Sequence, residues 1–101
     1  MPKGYVIFTE VISDPDGMAA YGRAAGPSIR EGEAKVLVVE RQPEVLEGEW
    51  PATQTVVLEF ASVDAARAWY RSDSYQAAAR IRQEAAETDV VIVSGFDPGG
   101  A

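Results

Sequence analysis

In the run Val56-Val57-Leu58-Glu59-Phe60 a single carboxylate stands among apolar neighbours. Burial in such a setting raises a carboxyl's proton affinity and fits it for general acid or base work. The plainer reading is that Glu59 pairs with an arginine, as buried charges usually do. Arg82 follows a run of alanines, where its planar fork suits a bidentate carboxylate or a structural pair with Glu59, Asp64 or Glu84. Trp69 and Tyr70 are neighbours in a helical pattern and so point about 100° apart; one belongs to the core and the other is free to line a pocket. Tyr5 and Tyr21 offer further rings with polar tips. The expectation is a small apolar pocket between a sheet and its helices, lined by Tyr5, Tyr21, Trp69 and Tyr70, with Glu59 and Arg82 as its polar groups. No residue is assigned as catalytic.

Several chemistries are removed by composition. The chain has no Cys and no His, which excludes thiolate catalysis, disulfides, serine triads and the usual transition-metal sites. Glu44, Glu47 and Glu49 form a charge run that reads as a solvated face, so neither a metal nor a cofactor is expected. A net charge of -7 with nine scattered Lys and Arg argues against a nucleic-acid partner. The opening Met1-Pro2-Lys3-Gly4 leads into a run too short and polar for a signal peptide, and no segment has membrane-spanning length. The sequence therefore predicts a soluble, cytoplasmic protein without a membrane partner.

These residues must be placed by a single small domain, read here as residues 1–97 with a loose tail at 98–101. Tyr5 to Ile12 is β-branched and aromatic, and Asp14-Pro15 then supplies a helix cap and a first-turn proline, the cap contributing about 1 kcal/mol. The helix that follows carries Met18, Tyr21, Ala25 and Ile29 on one side. Gly22, Gly26 and Pro27 predict a kink or stop near Ala25, and Gly32 closes the helix. Strands are predicted at Lys35–Glu40 and Thr53–Phe60, joined by a charged loop containing Glu47-Gly48-Glu49-Trp50. That loop is read as a clasp on another subunit or a pocket cover. Ser62 caps the next helix and Ser72 restarts it. From Asp73 to Ala86 the inward stripe is Tyr75, Ala78, Ile81 and Ala85, with Arg82 largely on another face, and Thr88–Phe96 is the last strand.

The order strand, helix, strand, strand, helix, strand is that of a ferredoxin-like split βαββαβ sandwich. This is an α+β fold with one antiparallel four-stranded sheet and the helices on one face. The uncovered face would then read as polar at alternate positions, yet Val57, Ile7 and the run Val90-Val91-Ile92-Val93 make both faces apolar. A homodimer that packs the two open sheet faces into a barrel-like core is the expected solution.

The chain also resembles, over nearly its whole length, the small bacterial family called domain of unknown function thirteen-thirty. The residues that carry the resemblance are Gly4-Tyr5-Val6-Ile7, Asp14-Pro15 with Tyr21, Val45 to Trp50, Val57 to Phe60 with Ser62, Ala68-Trp69-Tyr70 with Ser72, and Tyr75-Gln76 with Arg82. Members usually show Arg-Gly-Gly after the second strand; this chain has Glu40-Arg41-Gln42, so Arg41 is the residue offered for that place. The resemblance implies the dimeric α+β barrel fold, whose other members include cofactor-free monooxygenases, isomerase-like enzymes and ligand-binding proteins. Three functions compete: a binder of a small organic molecule, a cofactor-free enzyme of monooxygenase or isomerase type using Glu59 or a Tyr for protons, and a structural dimer module. A filled core favours the last, a pocket the first, and a pocket with a buried unpaired carboxyl the second.

Overall fold

The computed structural model describes residues 2–99; residues 100 and 101 of the tail expected at 98–101 lie outside the described residues. The elements run β1 (Gly4–Ile12), α1 (Pro15–Glu31), β2 (Lys35–Glu40), β3 (Gln54–Phe60), α2 (Val63–Arg71), α3 (Asp73–Ala85) and β4 (Ala86–Ser94). The four strands form one antiparallel sheet in the order β2-β3-β1-β4, with the helices on one face, which is the ferredoxin-like α+β arrangement. With extents of 43 × 38 × 16 Å the molecule is one helix layer on one sheet.

Alternation along β1 sends Val6, Phe8 and Glu10 under the helices and Tyr5, Ile7 and Thr9 to the open face. On β3 the covered residues are Gln54, Val56, Leu58 and Phe60, while Thr55, Val57 and Glu59 face outward. The core is completed by Trp69 and by Tyr75, which stack at 4.0 Å between ring centroids, with Phe60 and Phe8 packed on the tryptophan. Gly32 has a packing role here, because a Cβ at that position would meet Trp69 Cδ1 at 2.8 Å. Gly32 itself caps α1 with right-handed angles, and the left-handed residue of the turn is Glu33, at φ 55°.

The structure departs from the sequence reading in the course of α1, the facing of α3 and the bounds of β4. The helix α1 does not stop near Ala25 but runs through Pro27 to Glu31. Pro27 is exposed, so the carbonyl it leaves without a partner is open to water, while Ala25 and Ser28 on the opposite side are buried and α1 packs along α3. On α3 the inward stripe is Tyr75, Ala78, Ala79, Arg82 and Ala85, so Arg82 faces inward and Ile81 is only half-buried. Helical spacing allowed either stripe, and the small alanines leave room for a long cationic stem. Finally β4 begins at Ala86, directly after α3, and ends before Phe96, which is 89% exposed. Ser13 and Asp14 both donate backbone N–H bonds to the Ala85 carbonyl, pinning that abrupt turn.

Strand β2 carries a bulge. Val36 opposes Leu58, yet Val38 opposes Val57, so Leu37 is the extra residue and the facing of the strand reverses beyond it. Val36 and Val39 therefore both lie over the helix side of the sheet.

Candidate functional site

The helix α1 packs on α3 and stands off the sheet, leaving a cavity of about 670 Å³ between α1 and the strands β1, β3 and β2. Its walls are largely apolar: Phe8, Ile12 and Leu58 from the strands, Met18 and Ile29 from the helix. The bulge adds Val36 and Val39 at the edge. This size is typical of pockets that hold a small organic molecule.

Three polar side chains of the cavity, Glu10, Gln54 and Arg41, form one hydrogen-bonded line. Glu10, 1% exposed, accepts a 2.8 Å bond on Oε1 from Gln54 Nε2, and Gln54 Oε1 in turn accepts a 2.9 Å bond from Arg41 Nε at the exposed rim. Burial raises the proton affinity of the Glu10 carboxyl above the ordinary carboxylate value, outweighing the opposing effects of the Gln54 bond and the field of Arg82. Tyr21 reaches the cavity from α1, and its hydroxyl shares a 2.9 Å hydrogen bond with that of Tyr75. Both phenols have raised pKa values, chiefly because they are buried. Arg82 lies behind this line, with its guanidinium carbon 5.6 Å from the Phe8 ring centroid and 5.8 Å from that of Tyr21. Its Nε is buried without a hydrogen-bond partner among the described residues.

The six side chains expected to share one pocket are divided among three places. Tyr21 lines the cavity, and Arg82 stands just behind it. Trp69 is 4% exposed in the core, and Tyr70 packs half-buried against Tyr75, so neither lines the cavity. Tyr5 and Glu59 lie on the opposite face of the sheet, paired by a 3.0 Å bond from the Tyr5 hydroxyl to Glu59 Oε2. The period of two separates them from the cavity, because every odd residue of β1 and β3 faces away from the helices. The Glu59 bond also holds the Tyr5 phenol above its usual pKa.

The sequence reading leaves out Glu10 and Gln54, and offers Arg41 only through the family resemblance, without placing it at a pocket. A signal for the first two was present: Glu10 continues the covered alternation of Val6 and Phe8, and Gln54 that of Val56, Leu58 and Phe60. No alternation pattern gives the facing of Arg41, since that depends on the bulge. Among the described residues no group of three or more acidic side chains converges as a metal site, and no helix is long and apolar enough to cross a membrane.

A second hollow, of about 660 Å³, lies at one end of the open face between the Trp50–Ala52 loop and the residues Thr9, Val11, Glu87 and Asp89. Trp50 is fixed there by a 3.0 Å bond from its indole N–H to Thr55 Oγ1.

The fold is shared with several solved structures. A protein of unknown function from Rhodopseudomonas palustris superposes with a TM-score of 0.73 at 22% identity, over 96% of this chain and 85% of its own. SnoaB, a cofactor-independent oxygenase from Streptomyces nogalater, superposes with a TM-score of 0.70 at 6% identity over the whole of both chains. A dimeric ferredoxin-like protein of unknown function from Thermobifida fusca gives 0.61 at 15% identity, over 92% of this chain and 91% of its own. At these identities the likeness is one of fold. No curated protein matches the sequence. The family model described as domain of unknown function (DUF1330) matches residues 3–96, and the chain belongs to that family.

Proposed function

We propose that this chain is a homodimeric, cytoplasmic protein that binds a small organic molecule in the cavity between α1 and the sheet. The observation that carries the reading is a buried carboxyl, Glu10, beside a largely apolar cavity of about 670 Å³. A module that served only to dimerise would gain from filling that space, since each missing contact forfeits packing energy. The ligand's apolar body lies against Phe8, Met18, Ile29, Val39 and Leu58, and Tyr21, Gln54 and Glu10 orient it. Isothermal titration with a panel of small aromatic and aliphatic metabolites tests this. Binding that is abolished by Gly22→Leu, which fills the cavity from α1, is the expected result; binding unaffected by that change would place the ligand elsewhere.

The dimer is supported by the open face. Ile7, Val38, Val57, Val91 and Val93 make a contiguous apolar stripe across the four strands, and Val91 and Val93 are 50% and 40% exposed. Trp50, 49% exposed, flanks it. A second copy covers such a face with apolar surface of its own, and the related fold from Thermobifida fusca is described as dimeric.

A second reading is catalytic. Glu10 holds its proton more tightly than an ordinary carboxylate, the property required of a general acid or base at near-neutral pH, and the similar fold of SnoaB belongs to a cofactor-independent oxygenase. In this reading Glu10 takes the proton-transfer role expected of Glu59. Wild-type protein would accelerate deuterium exchange at an acidic C–H of a bound ligand and Glu10→Gln would not; equal exchange rates would leave binding as the whole function.

A further inference from the structure

Arg41 is an arginine with one of its five N–H donors committed. Its Nε donates to Gln54 Oε1 at 2.9 Å, which fixes the guanidinium plane at the cavity rim. Its two terminal nitrogens have no hydrogen-bond or ion-pair partner among the described residues. The adjacent carboxylate does not claim them: Glu40 opposes Thr55 on the open face, and its Oε2 accepts from the backbone N–H of Gln42. The bulge at Leu37 is what turns Arg41 toward the cavity: with regular alternation from Lys35, which opposes Glu59 on the open face, residue 41 would point outward as well. Inward of Arg41 the walls are Val36, Val39, Val56 and Ile29.

From this arrangement we infer that the ligand is an amphipathic monocarboxylate, its carboxylate held bidentately by the terminal nitrogens of Arg41 and its apolar body inserted between α1 and the sheet. The inference rests on the cavity being the ligand site and adds the chemical class of its occupant. A planar, pre-oriented fork binds a carboxylate with less ordering cost than a free side chain, and the apolar walls reject highly hydrated anions such as phosphate. The Glu10 carboxyl, which burial drives toward its neutral form, opposes a second carboxylate less than an ionised group would.

The test compares 1-naphthoate with its neutral isostere 1-naphthamide by isothermal titration, on wild-type protein and on Arg41→Gln. The wild type binds the acid on the order of tenfold more tightly than the amide, and in Arg41→Gln the ratio falls to about one. Acid and amide bound equally by the wild type would overturn the carboxylate assignment while leaving the cavity reading intact. Failure of both probes to bind would overturn both. An acid preference that survives Arg41→Gln would remove Arg41 from the role. Should the variant misfold, the salt dependence of the wild-type ratio decides instead: it falls between low salt and about 0.5 M if an exposed ion pair is responsible, and an unchanged ratio overturns the assignment.

Discussion

Gln54 bridges Glu10 and Arg41: its amide N–H donates to the buried carboxyl at 2.8 Å, and its carbonyl oxygen accepts from the exposed guanidinium at 2.9 Å. One side chain thus joins the inner and the outer polar group of the cavity.

The first consequence concerns pH. Glu10 binds its proton more tightly in the folded chain than the ordinary value of 4.5, so the native state holds more protons than the unfolded state over the interval above that value. Stability contributed by the neutral carboxyl is complete below about 4.5 and is lost as pH rises through the raised folded value. Glu10→Gln keeps an acceptor for Gln54 and removes the titration. Thermal melts from pH 4 to 8 are expected to show the variant gaining on the wild type as pH rises, and parallel curves would contradict the assignment.

Gly22 lines the cavity from the middle of α1, and a Cβ there meets nothing within 4 Å. Gly22→Leu replaces a poor helix former by a good one and occupies the empty space, so it should stabilise the fold by about 1 kcal/mol. It should also exclude 1-naphthoate. A stabilised variant that still binds with wild-type affinity would show that the ligand lies elsewhere.

Tyr21 and Tyr75 share a hydrogen bond within a largely buried cluster. Tyr21→Phe leaves the Tyr75 hydroxyl without that partner and should cost about 1 to 2 kcal/mol, as should Tyr75→Phe. The double variant removes both polar atoms at once and is expected to be less destabilised than the sum. Denaturant melts of the four proteins in a double-mutant cycle measure this, and strict additivity would mean the bond contributes nothing.

Val91 stands on the open face opposite Ile7, half exposed. Val91→Glu puts a charge into the proposed dimer seam without touching the covered core. Light scattering at micromolar concentration should give twice the chain mass for wild type and a single chain mass for the variant. A wild-type monomer would remove the homodimer.

The order of elements, the caps at Asp14, Ser62 and Ser72, and the apolar character of both sheet faces were all written in local residue patterns. Caps act within three residues and alternation within two, so the chain needs no distant partner to declare them. Glu10 and Gln54 were also legible as polar residues in covered positions, although Glu59 is the more conspicuous carboxylate because its neighbours are more apolar. Other features were decided only when elements met. Whether Arg82 or Ile81 faces inward depends on the room that Ala78 and Ala79 leave beside the Phe8 and Tyr21 rings. The passage of α1 through Pro27 depends on packing along α3, which outweighs one lost backbone bond. The cavity exists because α1 leans on α3 and away from the sheet, and Arg41 enters it because β3 accepts β2 with one residue bulged out. Each of these is a competition between surfaces far apart in sequence, and no local pattern encodes which surface wins.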